Sequence, residues 1–281
     1  MDPFYISPED EKEISKGIIA ERISGLTRSD PAQFFLNAGQ PGCGKTELNV
    51  LTAESLQDNL LECNADTLRN YHPEADRILG EFEAHYSDIT WPYADRWNGQ
   101  LIAEGIARRF NLLIETTLGN LPKVQETFQE MKKAGYSTHL QLLAIPERWS
   151  WMGIHLRFET AKANRGWARF VPDEVHADRF RKLIENLPRV LESPDLDRVT
   201  VYTRDLSVGT AAKAALIRMT DDKRQALAAF SARMNKPIDI AENKAYFEVG
   251  DQVKELMSKR NAAAAEMMEF EKKVVELTTG R

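Results

Sequence analysis

"FFLNAGQPGCGKTEL", residues 34–48, decides the fold. The apolar run over residues 32–38 is bounded by glycine and reads as a buried strand. Gly39, Gly42, Gly44, Lys45 and Thr46 then satisfy G-x-x-x-x-G-K-[ST] in full, with a helix beginning near residue 44. Each position has a physical task. The glycines let successive backbone N–H groups turn inward around phosphate oxygens, and the following helix adds its positive end. Lys45 reaches the β and γ phosphates, and the Thr46 hydroxyl holds Mg2+. Gly39, Gln40, Pro41, Gly42, Cys43, Gly44, Lys45 and Thr46 are the expected nucleoside triphosphate-binding residues. The motif does not separate a kinase from an ATPase or a GTPase, although no NKxD base-reading stretch is present.

Outward from this loop, apolar runs at 59–63, 111–115, 138–145 and 199–203 read as further strands. Helical patterns over 65–82, 94–109 and 122–134 separate them, and a charged amphipathic helix over 8–27 precedes them. Strands alternating with helices imply an α/β chain with a parallel sheet covered by helices on both faces, carrying a P-loop. Residues 147–192 form a helical insertion rich in aromatics and arginines. Beyond residue 205 the composition shifts to helix formers, with helices expected over 207–234 and 240–277. The expected division is a P-loop domain over 1–205, insertion included, and a helical extension over 206–281.

The chain has 281 residues and a formal net charge of -6, which argues against broad nucleic-acid binding. No apolar run approaches the roughly 20 residues of a membrane span. The N-terminal stretch is acidic and lacks the apolar core of a signal peptide, so a cytoplasmic location is expected. Cys43 and Cys63 make no disulfide framework and read as reduced thiols. The five histidines lack metal-ligand spacing; His72 and His176 either orient neighbours or sit in the core or in solvent.

Asp66 follows the second strand and is open to two uses, accepting a proton from a substrate hydroxyl or capping the helix after it. Glu115 ends an apolar strand, a costly place for a carboxylate unless it meets a cation, a metal-bound water or a substrate. Thr117 either binds a substrate phosphate or caps the next helix. Arg157, Arg165 and Arg169 offer the positive charge that phosphoryl transfer needs, with at most two of them catalytic. Asp178 and Arg179, on the helix that follows, read as structural. Trp91, Tyr93 and Trp97 either flank a base or sugar or pack a helix.

Several stretches together resemble the zeta toxin family of small-molecule kinases: "LNAGQPGCGKTEL", "NADTLRNYHP", "TWPYADR", "NLLIETT", "LLAIPE", "LRFET" and "ARFVPDEVHADR". The likeness spans roughly residues 10–205. It implies an ATP-dependent kinase acting on a hydroxyl of a UDP-N-acetyl sugar, the toxin of a toxin–antitoxin system restrained by a small helical antitoxin. By the same resemblance Asp66 is the general base, Lys45 and Thr46 bind ATP and Mg2+, Glu115 and Thr117 belong to the substrate and metal site, and Arg157 and Arg169 are the catalytic arginines. Two positions depart from the family pattern. Gly99 stands where a sugar-contacting glutamate is common, and Gly119 fills an arginine position, so acceptor identity is the open point. The rival expectations are a kinase for another nucleotide or metabolite without antitoxin control, and a nucleotide-binding protein that acts through partners.

Overall fold

The computed structural model describes residues 3–208 and 215–279. Six strands form one sheet in the order β2-β3-β1-β4-β5-β6. They are β1 Gln33–Ala38, β2 Leu61–Cys63, β3 Leu112–Thr116, β4 Ser137–Leu143, β5 Arg198–Arg204 and β6 Leu216–Thr220. The helices are α1 Pro8–Arg22, α2 Lys45–Ser55, α3 Ala65–Leu68, α4 Ala75–Glu81, α5 Tyr86–Arg108 and α6 Leu121–Lys133, then α7 Glu147–Arg165, α8 Asp173–Leu191, α9 Lys223–Met234, α10 Ile240–Lys259 and α11 Ala264–Thr279. The sheet is mostly parallel and flanked by helices, the expected α/β P-loop kinase fold. Among the described residues no helix is long and apolar enough to cross a membrane.

The chain packs as two compact units. The first comprises Met1–Leu36, Asn49–Glu115 and Glu130–Thr138. Here β2 and β3 pair in parallel, Leu61 opposite Leu112 and Cys63 opposite Ile114. The Ser7 side chain caps α1 by accepting from the Asp10 N–H, with Pro8 at the start of the helix where its missing N–H costs nothing. That helix ends at Arg22 rather than 27, and Gly25 takes a left-handed φ of 80° just beyond it. The expected single helix over 65–82 is broken at His72–Pro73 into α3, a 3-10 turn and α4. Proline forces the residue before it out of the helical region, and His72 is extended. Trp97, fully buried, centres a small core with Ile6, Ile18, Leu68 and Ala94.

The second unit comprises Asn37–Leu48, Thr116–Gln129 and His139–Arg281. Its β4 and β5 are parallel, Leu140 opposite Val199 and Leu143 opposite Tyr202. Residues 216–220, expected within a helix, instead form β6 antiparallel to β5. A strand edge offers unpaired backbone groups to any neighbouring extended segment, and that tertiary pairing overrides local helix propensity. Residues 209–214 of the expected helix lie outside the described residues. Helix α10 packs on α7 through Trp149, Met152, Tyr246, Val249 and Val253. Buried Glu242 of α10 accepts from Arg148 at 2.7 Å and from Trp149 Nε1 at 2.8 Å, which satisfies a charge that would otherwise be costly to bury.

Candidate phosphoryl-transfer site

The phosphate loop is built on β1, whose last five residues are all buried, and leads directly into α2. Gly42 and Gly44 have φ of 79° and 92°, the left-handed region that side chains resist. Both are also sterically committed. A Cβ on Gly42 would overlap the Ser150 carbonyl of α7, and a Cβ on Gly153 would overlap the Gly42 carbonyl. At Gly44 a Cβ would stand 2.5 Å from Arg204 Nη2. Helix α7 therefore lies against bare loop backbone. Gly42→Ala is expected to cost several kcal/mol through strain and overpacking and to weaken ATP binding at least tenfold. Thermal melts and titration with an ATP analogue check it.

Side chains hold the loop in shape. Lys45 Nζ donates to the carbonyls of Gly39 at 2.9 Å and Gln40 at 3.3 Å. Gln40 is buried and donates to Ile145 O at 2.6 Å and Ser150 Oγ at 3.0 Å. Ser150 Oγ donates to Glu147 O at 2.9 Å and lies 2.8 Å from His176 Nε2. Buried Arg204, at the end of β5, donates to Gly44 O at 3.2 Å and pairs with Glu47 at 3.1 Å. Arg204, Ser150 and Gly153 escaped the sequence reading, because nothing in their local pattern announces a contact with a loop more than 100 residues earlier. His176 is a buried core histidine whose ring meets the Ser150 hydroxyl that accepts from Gln40.

Burial pushes the His176 ring down to about 4, against the smaller upward pull of Asp173. Burial does the same to His139, also to about 4. Both rings are neutral at pH 7. Their unfolded pKa is about 6.5, so the unfolded chain takes up protons first on acidification. The stability tied to each ring is complete above pH 6.5 and falls as pH drops towards 4. Between pH 6.5 and 5 each is expected to cost about 2 kcal/mol. His176→Gln should remove roughly half of that slope in urea midpoints measured across the window.

Asp66 and Glu115 lie in the first unit. Asn64, not Asp66, caps α3, its side chain accepting from the Asp66 N–H. The Asp66 carboxylate instead accepts from Arg69 Nε at 3.0 Å, and its side chain is 53% exposed. Arg69 is buried, anchored to Ser87 O at 2.6 Å and Thr90 Oγ1 at 3.2 Å, with Trp91 beneath its guanidinium. Glu115 accepts from Asn49 Nδ2 at 2.7 Å, an amide that also reaches Glu62 at 3.0 Å. Burial, with the Glu115 charge adding to it, raises the Glu62 pKa. Of the aromatic trio, Trp97 is core and Tyr93 accepts from the Ile6 N–H, which leaves Trp91 exposed.

In the second unit Arg157 is exposed on α7, and Arg169 is exposed between α7 and α8. Arg165 stacks over Trp167. The Gly39 N–H donates to Thr116 O at 3.1 Å, so the segment leaving β3 starts beside the phosphate loop. Thr117 follows it and does not cap α6; the Asn120 side chain accepts from the Lys123 N–H there. Both cysteines are buried and neither is in a disulfide, and burial pushes Cys63 up to about 12. Among the described residues no cluster of three or more His, Cys, Asp or Glu could hold a metal.

A sequence model described as Zeta toxin matches residues 19–214. The chain is 28% identical over 197 residues to Toxin PezT of Streptococcus pneumoniae serotype 4, covering 68% of this chain and 78% of that protein. A solved chain of the PezAT chromosomal toxin–antitoxin system of Streptococcus pneumoniae superposes with a TM-score of 0.76 at 20% identity, covering 92% of this chain and all of that one. The AvrRxo1-ORF1:-ORF2 complex with ATP gives 0.53 at 14% identity, with 97% and 90% covered. At these identities the structural likenesses speak for fold, and the sequence match speaks for descent. Matched over most of its length and built around a complete phosphate loop, the chain belongs to the zeta toxin family.

Proposed function

We propose that the chain is an ATP- and Mg2+-dependent kinase that phosphorylates a hydroxyl of a UDP-N-acetyl sugar, acting in the cytoplasm as the toxin of a toxin–antitoxin pair. The observation that carries this is the phosphate loop itself, with two left-handed glycines and a backbone braced by Gln40 and Arg204 in a zeta toxin chain. Residues 39–46 take the phosphates of ATP, as a structural neighbour that holds ATP supports. Thr46 is exposed at the start of α2, and its hydroxyl makes no hydrogen bond among the described residues. A hard oxygen donor so placed suits Mg2+, which prefers one or two protein oxygens beside substrate phosphates. When bound, that ion neutralises phosphate charge.

Lys45 leaves its loop carbonyls for the phosphates. Asp66 accepts the proton of the attacking hydroxyl. Arg157 and Arg169 stabilise the transferring group, and Glu115 and Thr117 hold the substrate. Residues 1–205 carry this chemistry, and 206–281 extend the kinase domain. A small helical antitoxin is the expected partner, since the solved relative comes from a toxin–antitoxin system.

The test is transfer from γ-labelled ATP with Mg2+ to a panel of UDP-sugars, free sugars and nucleosides. Label on UDP-N-acetylglucosamine supports the assignment. ATP bound without transfer to any UDP-sugar overturns the substrate, and label on another metabolite then reflects the altered positions Gly99 and Gly119.

A further inference from the structure

Leu118 has a left-handed φ of 54° and a fully buried side chain, so the chain turns sharply just after β3. The turn is held from two sides. Thr116 Oγ1 accepts from the Leu118 N–H at 3.0 Å, and Asn186 of α8 donates to Leu118 O at 2.7 Å. Helix α8 is thereby fixed against this loop. About two turns before Asn186, Arg179 of the same helix reaches over Gly119. A Cβ at Gly119 would stand 2.8 Å from Arg179 Nη1, 3.3 Å from its Cδ and 3.2 Å from Thr117 Oγ1. A side chain at 119 would push the guanidinium from this position.

Both polar groups lie close to one point, so they are at most about 6 Å apart, a gap that one phosphate spans with hydrogen bonds of about 2.8 Å. Neither group makes a hydrogen bond among the described residues. The carboxylate beside Arg179, Asp178, is 3.9 Å away and is itself engaged by Arg181 at 2.7 Å and Lys182 at 2.9 Å. The Arg179 side chain is 41% exposed. A hydroxyl donor and a cation with only a long ion pair thus converge beside the phosphate loop, where the Gly39 N–H meets Thr116 O.

We propose that Arg179, meeting Thr117 over Gly119, grips a phosphate of the acceptor and is a specificity-determining residue. The inference rests on the kinase reading for the word acceptor, but the anion corner stands or falls by itself. It also changes the part assigned to Arg179, which local sequence marks only as a helix residue.

The experiment is calorimetric titration of UDP into the full chain with its phosphate loop saturated by a non-hydrolysable ATP analogue. UDP is expected to bind, and Arg179→Ala to weaken it about 10–100-fold, the effect of losing a charge-assisted hydrogen bond. Arg179→Lys should recover part of this, because it restores charge without the fork. Uridine should bind both proteins equally weakly. Arg179→Ala/Gly119→Arg, which returns a guanidinium from the opposite side, should recover UDP affinity. Equal UDP affinity in wild type and Arg179→Ala overturns the proposal, as does a loss confined to the ATP analogue, which would place Arg179 on the donor. If UDP binding depends on Arg179 but no label is transferred to any acceptor, the corner stands and the kinase reading falls.

Discussion

Asp66→Asn is expected to lower phosphate transfer about a thousandfold, within the range for loss of a general base, while ATP still binds. The substitution keeps the shape of the side chain and removes its ability to take a proton. Its structural cost is small. The Asp66 carboxylate is 53% exposed, and its partner Arg69 keeps its bonds to Ser87 and Thr90. A half-exposed ion pair is worth about 1 kcal/mol or less, so the fold survives and the melting temperature shifts by only a few degrees. Single-turnover transfer beside equilibrium ATP binding reads the two effects separately. Transfer at the wild-type rate would remove Asp66 from the chemistry and leave it a tether for Arg69.

Lys45→Met is expected to abolish transfer to a similar degree, by about 10²–10³-fold in kcat, and also to weaken ATP binding. Methionine keeps much of the aliphatic stem and deletes the charge. In the structure Lys45 Nζ donates to two carbonyls of its own loop, Gly39 and Gln40. On the proposed role those bonds are exchanged for phosphate oxygens when nucleotide binds, and their loss costs the free protein about 1–2 kcal/mol. The larger deficit should appear in the nucleotide complex and in the rate, with the melting temperature in the absence of ATP lowered by only a few degrees. An undiminished rate would mean that the loop binds phosphate without taking part in transfer.

The loop, the strands and the fold class were legible in the chain because each depends on neighbours in sequence. Apolar runs mark buried parallel strands, and the glycine spacing of residues 39–46 marks backbone that must turn inward. The boundaries were less legible where a local choice is decided elsewhere. His72–Pro73 splits a helical pattern, and residues 216–220 become a strand because β5 offers an edge. The capping alternatives for Asp66 and Thr117 also needed coordinates, since Asn64 and Asn120 take those roles.

The sequence by itself thus determined a glycine-rich loop of the P-loop pattern at the end of a buried strand, since the required backbone is written in consecutive positions. Only the tertiary structure decided what surrounds it. Arg204 and Ser150 come to the loop from β5 and α7, and Arg179 comes to Gly119 from α8. Such contacts join residues far apart along the chain, where side-chain identity carries no record of the partner. The space that a missing Cβ leaves open becomes visible only once the chain is folded around it.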